Sequence, residues 1–316
     1  MNQDSKVAVC SRSFSNHALL RQELLSRFTQ VKFNDSGKSL IGRELVDFLR
    51  GSDRAIIALE SIDSVLLKEL PELKVIGKFG VGLDKLDLKA MDDHGVQMGW
   101  TAGVNAPAVA ELTLALALNI VRNIPKSNQV LRNGEWHQVS GQQLSSMTYG
   151  VLGCGHVGKA LVKLLRPFGA KILACDVVDI SDFCKENDVE SVSFSELVKR
   201  ADVLSIHIPK NKKTAGLLSR EVLKSLKVGS YLVNTARGGL VDEAAVVDLL
   251  DSGHLSAAAF DVFEQEPPLI RKLVDHPKVY GTTHIGGSSQ EAVLAMGRAA
   301  ITGLEHFQRA TAYEQI

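Results

Sequence analysis

One decapeptide, with the residues that follow it, constrains this chain more than any other feature. Tyr149-Gly150-Val151-Leu152-Gly153-Cys154-Gly155-His156-Val157-Gly158 runs from a short apolar stretch into three spaced glycines. Tyr149 to Leu152 predicts a buried strand, and Leu161, Leu164 and Leu165 then recur at helical spacing. A second apolar stretch, Lys171 to Cys175, predicts another strand, ending at Asp176, about 20 residues past the glycines. Strand, turn, helix, strand and acid are the parts of a dinucleotide cradle. Gly153 permits a tight turn, Gly155 admits a pyrophosphate close to backbone, and Gly158 lets helix and strand pack closely. The helix N-terminus at His156 and Val157 offers free N–H groups and a partial positive charge for the phosphates.

Asp176 sets the expected cofactor. A carboxylate at that strand end accepts hydrogen bonds from ribose hydroxyls and repels a 2′-phosphate, so NAD is expected over NADP. Val177, Val178 and Asp179 supply no basic residue to reverse that preference, and Cys154 is expected to be a small packing residue in the turn. The bland alternative is a tight turn in a βαβ unit that binds nothing.

Composition narrows the partners. Lys plus Arg and Asp plus Glu are equal at 36 each, so no net field draws the chain to nucleic acid or a membrane surface. The four cysteines, Cys10, Cys154, Cys175 and Cys184, have neither C-x-x-C spacing nor disulfide density, which predicts no metal site and a reducing compartment. The polar N-terminus leads straight into a strand and does not read as a signal peptide. No apolar run approaches the roughly 18 residues that suggest a bilayer span. The expectation is a soluble, cytoplasmic protein.

Strands and helices alternate along the first hundred residues. Lys6 to Cys10, Val31 to Phe33, Ala55 to Leu59, Leu73 to Gly77 and Val96 to Met98 predict strands, and Ser61 to Leu70 a helix with Ile62, Val65, Leu66 and Leu70 on its apolar face. Such alternation implies a parallel sheet covered on both sides. Ala106 to Val121 predicts a long helix with Pro107 at its start, where a missing N–H costs nothing. Its apolar content predicts burial nearly all round, as in a helix joining two domains or lining a subunit interface. After the glycine-rich unit, Val203 to Ile208, Tyr231 to Asn234, Ala257 to Phe260 and Val279 to Thr282 predict further strands, and Ser289 to Gln308 a last helix that returns to the N-terminal unit. The fold class is therefore α/β, with two open parallel-sheet domains, the second inserted into the first. The expected boundaries are 1–101 with 289–316, and 102–288.

In open parallel sheets, ligands sit beyond the carboxyl ends of the strands. Three reactive side chains follow such ends in the glycine-rich unit. Arg237 follows Tyr231 to Asn234, Glu266 lies after Ala257 to Phe260, and His284 follows Val279 to Thr282. A guanidinium fork matches a substrate carboxylate with two parallel hydrogen bonds. An imidazolium can protonate a carbonyl oxygen. A carboxylate touching that imidazole favours its charged form. Singly, each reads equally as a salt-bridge partner, a solvated loop acid and a satisfied loop histidine. Together they suit hydride transfer to a 2-oxo acid.

At these residues the chain resembles the D-isomer-specific 2-hydroxyacid dehydrogenases, most closely the phosphoglycerate dehydrogenase branch. The similar segments are 77–84, 105–111, the glycine-rich turn, Asn234 to Glu243, Phe260 to Pro268 and Thr283 to Gly286. The resemblance implies a Rossmann NAD-binding domain inserted into a flavodoxin-like substrate domain. It implies Arg237 for the substrate carboxylate, His284 as acid/base and Glu266 as its support. It places Lys78, Val81, Gly82 and Asn105 on the substrate side, and Asp261 near the nicotinamide amide. His207 and Pro209 resemble the wall against the cofactor, and Thr214, Thr235, Ala236 and Gly286 complete the implied cofactor set. The chain departs from the pattern at Lys78, where Arg is frequent, at Lys85, and at Gln142 to Thr148, which lacks the usual Leu-x-Gly-Lys connector.

The resemblance implies an NAD-dependent oxidoreductase interconverting a small 2-oxo acid and the D-2-hydroxy acid, as a homodimer. A different class shares the motifs: an NAD(H)-sensing corepressor of the same fold. Substrate choice is expected to turn on Glu60. At the end of Ala55 to Leu59 it should face the substrate's far end and repel a phosphate, unless it instead caps the helix that follows. Lys78 pulls the other way, either binding a phosphate directly or being neutralised by Glu60.

Overall fold

The computed structural model describes residues 4–314. Thirteen strands are present among them: β1 Lys6–Val9, β2 Gln30–Phe33, β3 Arg54–Ile57, β4 Val75–Lys78, β5 Gln97–Gly99, β6 Thr148–Leu152, β7 Lys171–Cys175, β8 Glu190–Ser191, β9 Val203–Ile206, β10 Ser230–Asn234, β11 Leu255–Phe260, β12 Val279–Gly281 and β13 Gln308–Arg309. The chain forms two compact units, one of residues up to Asn105 and from Gly287 onward, the other Ala106–Gly286.

The first unit holds a six-stranded sheet in the order β13-β5-β4-β3-β1-β2. Its five parallel strands follow the order 2-1-3-4-5, that of the flavodoxin-like doubly wound fold. The central strands are apolar on both faces because helices cover both. One face packs Leu45, Leu49, Leu66, Leu67 and Met91 against Ala8, Ile57 and Ile76. The helix Gln290–Gly303 runs against β4 and β5. Glycines make that crossing possible. A Cβ on Gly99 would fall inside the backbone of Gly303, and one on Gly77 inside the carbonyl of Ala300.

The second unit holds seven parallel strands in the order β12-β11-β10-β9-β6-β7-β8. Counted from β6 this is 3-2-1-4-5-6 with one added strand, the Rossmann order, and its topological switch point lies between β6 and β9. Two cores flank the sheet. Leu116, Ile120, Leu161 and Leu165 bury one face, and Leu197, Val246, Leu250 and Leu273 the other. Asp242 caps the helix Glu243–Asp251 by accepting the Ala245 N–H, and Ser193 and Glu196 form a reciprocal cap on Phe194–Arg200.

Several expected elements differ in extent. The helix expected from Ser61 covers only Ser64–Lys68, because Asp63 caps it and Glu69 ends it. The last helix stops at Gly303, and the chain then turns into β13, antiparallel to β5. The helix Ala106–Val121 is buried along one face only, through Val109, Ala110, Leu116, Ala117 and Ile120, with Glu111 and Ala115 exposed. Among the described residues no single helix is long and apolar enough to cross a membrane.

The Gly99–Gly303 crossing yields a direct test. Gly99→Ala must push helix from sheet, an overpacking cost of about 3 kcal/mol or more, which corresponds to a fall in Tm of roughly 5–10 °C. Thermal unfolding measures it, and a Tm within a degree of the unsubstituted protein would refute so close an approach.

Candidate functional site

The cradle expected at Gly153 forms where β6 ends. Gly153 has φ 92, which L side chains rarely adopt, and a Cβ there would lie 2.7 Å from the His207 carbonyl carbon. A Cβ on Gly158 would overlap the Gly153 carbonyl oxygen. Gly155 differs, for nothing lies within 4 Å of the Cβ position, so its open side can admit another molecule. The helix His156–Leu165 begins there without a side-chain cap, with His156 exposed and Val157 half-buried on its first turn. Uncapped N–H groups at a helix start suit an anion.

Asp176 anchors this turn from the end of β7. Its Oδ2 accepts the Cys154 N–H at 2.6 Å and Oδ1 the Val178 N–H at 3.1 Å. Each oxygen keeps a lone pair for a ribose hydroxyl. Cys154 is buried, as expected for a packing residue, and burial pushes its thiol up to about 12.

His207 follows β9 with Nε2 2.8 Å from the Ser205 hydroxyl. Burial pushes its imidazole down to about 3, so the ring is neutral at physiological pH. Its Nδ1 is buried with no hydrogen-bond partner. A glycine cradle open at Gly155, an uncapped helix start and an unsatisfied ring nitrogen beside the turn together fit a dinucleotide. Among the described residues no group of three or more His, Cys, Asp or Glu side chains is placed to hold a metal ion.

Some expected cofactor residues have their side chains committed elsewhere. The Thr214 hydroxyl donates to the Pro209 carbonyl at 2.6 Å and accepts the Asn211 N–H at 2.8 Å, closing its own loop. Thr235 is buried with its hydroxyl 2.7 Å from that of Thr113, on the helix Ala106–Val121. The Asp261 carboxylate is engaged within its own unit. Only 1% exposed, it accepts from the Thr282 hydroxyl at 2.6 Å and the Ile285 N–H at 2.7 Å on Oδ1, and from the Gly286 N–H at 2.8 Å on Oδ2. It therefore builds the loop that presents His284, and Gly286 serves as one of its donors.

Arg237 is half-buried in the turn after β10. Asn234 shapes that turn, accepting the Ala236 N–H at 3.1 Å and donating to the Arg237 carbonyl at 2.9 Å. The guanidinium donates to the Ala236 carbonyl at 2.7 Å. His284 has φ 55, and its Nδ1 lies 2.7 Å from Glu266 Oε2, with side chains 38% and 40% exposed. The other Glu266 oxygen accepts the Phe263 N–H at 3.3 Å. The hydrogen bond that His284 donates to Glu266 holds the ring's pKa above its ordinary value, against desolvation. The charges of Glu266 and Asp261 add to the rise, and that of Arg237 opposes it.

In the first unit, Val81 and Gly82 are half-buried in the turn after β4. Asn105 is 9% exposed, and its Oδ1 is buried without a hydrogen-bond partner. Lys78 is 4% exposed and donates from Nζ to the carbonyls of Ala58 at 2.7 Å and Phe79 at 3.1 Å. Glu60 does not face outward. It is buried, and its Oε2 accepts the Ala58 N–H at 2.7 Å. Nor does it cap the following helix, since Asp63 does. At this strand end Leu59 is the exposed residue.

Comparison with known proteins gives a consistent result. Residues 114–286 match the family described as D-isomer specific 2-hydroxyacid dehydrogenase, NAD binding domain. The chain is 38% identical over 231 residues to D-3-phosphoglycerate dehydrogenase of Bacillus subtilis, covering 72% of this chain and 44% of that protein. It is 38% identical over 241 residues to hydroxypyruvate reductase of Thermotoga maritima, covering 71% and 74%. A glyoxylate reductase structure from Paecilomyes thermophila superposes with TM-score 0.85 at 26% identity, covering 96% and 95%. The chain spans about half the length of the phosphoglycerate dehydrogenases it matches.

The His284–Glu266 contact fixes the sign of a titration. Glu266→Gln removes the carboxylate that favours imidazolium, so the His284 pKa must fall and the ring lose its proton at lower pH. NMR titration of the ring protons reads this directly. An unmoved midpoint would show that Glu266 does not charge His284.

Proposed function

This chain belongs to the D-isomer specific 2-hydroxyacid dehydrogenase family, and on that premise we propose that it interconverts a small 2-oxo acid and the D-2-hydroxy acid with NAD(H). The observation that carries this reading is His284 held by Glu266 at 2.7 Å within the electrostatic reach of Arg237. All three follow strands of the unit that carries the glycine cradle.

Arg237 receives the substrate carboxylate through its guanidinium fork. Glu266 occupies Nδ1 of His284, so Nε2 is the nitrogen presented to substrate. In reduction His284 gives its proton to the carbonyl oxygen, and in oxidation the neutral ring takes the hydroxyl proton. When bound, the nicotinamide cofactor supplies or accepts the hydride at the substrate carbon. Gly153, Gly155, Gly158, His156 and Val157 would hold its pyrophosphate, Asp176 its ribose, and neutral His207 its wall. The Asp176 carboxylate disfavours a 2′-phosphate, hence NAD over NADP.

For the substrate we propose glyoxylate or hydroxypyruvate over 3-phosphohydroxypyruvate. The buried ammonium of Lys78 donates to two main-chain carbonyls, and the nearby Leu59 that reaches solvent carries no charge. Measuring kcat/KM for the three acids with NADH decides this. Arg237→Ala should lower kcat/KM by about 10² or more while NADH affinity holds. A large preference for the phosphorylated acid would overturn the substrate assignment. Failure to reduce any of a panel of 2-oxo acids would favour the NAD(H)-sensing binding protein instead.

We also propose a cytoplasmic homodimer. The four cysteines are all free thiols, as a reducing compartment keeps them. The helix Ile124–Arg132 buries none of its residues, and Ile124, Leu131 and Trp136 are 49%, 58% and 92% exposed. An apolar surface of that kind suits a second copy. Light scattering should give twice the 34.2 kDa chain mass, and a monomer at micromolar concentration would refute it.

A further inference from the structure

Glu243 is a buried carboxylate that the proposed reaction leaves without a role. It is 5% exposed, at the first residue of the helix Glu243–Asp251. The cap of that helix is Asp242, so Glu243 is not needed to start it. Its Oε1 instead accepts the Glu264 N–H at 2.6 Å. Glu264 lies one residue after Phe263, whose N–H is the one bonded to Glu266. Two successive peptide groups are thus divided between two carboxylates. The Phe263 N–H fixes Glu266, and the Glu264 N–H fixes the segment to the helix that follows the Arg237 turn.

The two segments also touch directly. A Cβ on Gly238, next to Arg237, would fall inside the Phe263 carbonyl, so the turn carrying Arg237 lies flat against the segment carrying Glu266. The charged groups facing Glu243 are Glu264 and Lys210, and those facing His284 are Glu266, Asp261 and Arg237. A cavity of ≈ 370 Å³ borders the bond, with Lys210, Gly239, Glu243 and Glu264 in its lining. Water can enter there, so shortening Glu243 need not leave the Glu264 N–H dry and unpaired.

We propose that Glu243 is a positioning residue for the His284–Glu266 pair, its bond to the Glu264 N–H holding the Glu266 segment against the Arg237 turn so that the carboxylate stays within hydrogen-bond distance of the imidazole. This rests on the acid/base reading of His284. The 2.7 Å contact is the sensitive quantity, since a charge-assisted bond weakens steeply as its partners separate.

The test compares Glu243→Ala, Glu243→Asp, Glu243→Gln and Glu266→Gln in the full chain, by NMR titration of His284 and by the pH profile of 2-oxo acid reduction. Glu243→Ala is expected to lower the His284 midpoint by at least half the drop that Glu266→Gln causes. The alkaline limb should follow it, cutting kcat about threefold to tenfold at pH values above the measured midpoint, as a half-unit to one-unit shift does there. NADH KM should stay unchanged. Glu243→Asp keeps the charge but draws the acceptor back by roughly one C–C bond, ~1.5 Å, and should behave as Glu243→Ala does. Glu243→Gln keeps an acceptor oxygen and should restore the native midpoint. If Glu243→Ala fails to fold, the Asp and Gln pair decides alone. Glu243 substitutions that leave the midpoint in place while Glu266→Gln moves it would overturn the positioning role alone. A midpoint unmoved by Glu266→Gln as well would overturn the acid/base reading and the proposal together.

Discussion

The chemistry proposed for the second unit hangs on one buried carboxylate. Asp261 accepts from the Thr282 hydroxyl and from the Ile285 and Gly286 N–H groups, while its own carbonyl accepts the His284 N–H. Those bonds wrap the chain around Asp261 tightly enough to hold His284 at φ 55, in the left-handed region that costs a non-glycine residue about 1 kcal/mol or more. The cost falls at the residue whose ring must point at Glu266. A carboxylate accepting from several donors, at least two of them rigid peptide groups, cannot follow a drifting loop, so the loop stays where the acid is. Asp261 is in turn fixed from below, because its N–H donates to the Asn234 carbonyl at the end of β10. Asn234 shapes the Arg237 turn through its side chain. Asn234 therefore links the placement of the guanidinium to that of the imidazole.

The same economy governs the cradle on the other side of β10. His207 is neutral and anchored to Ser205, and its main chain closes over Gly153. A charged ring there would add a second positive centre beside the turn. Burial removes that charge, and the helix start at Gly155 is left as the local positive end. Position in the sheet thus shifts two histidines in opposite directions. His207, half-buried with its ring desolvated and no acid beside it, is neutral. His284, half-exposed beside Glu266, is biased towards its charged form.

What the sequence made legible follows from what leaves a local pattern. Apolar runs between glycines located the central strands within a residue or two. The turn at Gly153 was readable because its three glycines fall at fixed spacing within six residues of a strand end. Arg237, Glu266 and His284 stood out because they directly follow strands. Pairings between distant residues were not legible. Thr235 meets Thr113 across 122 positions, a hydroxyl pairing that no local pattern announces. Asp261 was visible as an important acid, but its donors come from 21 to 25 residues away and no periodicity announces them. Edge elements were hidden for another reason. β8 and β13 are two-residue polar strands, held by the neighbouring strand instead of by any apolar run of their own. Glu60 illustrates the commonest failure. Its position at a strand end was readable, but the direction of its side chain was decided by the Ala58 N–H beside it.

The balance of charge around His284 has a further consequence for the proposed reaction. Glu266 and Asp261 favour the protonated ring, and Arg237 opposes it. A substrate carboxylate seated on Arg237 cancels that opposition and brings a negative charge of its own near the ring. Binding an anionic 2-oxo acid therefore raises the affinity of His284 for the proton it must later donate, and by linkage the protonated ring raises the affinity for the anion. The 38% and 40% exposure of the pair means that water screens it before substrate arrives. Displacing that water strengthens both attractions. The ring is thus best charged when the oxygen to be protonated is in place, and the proton's departure weakens the hold on the product.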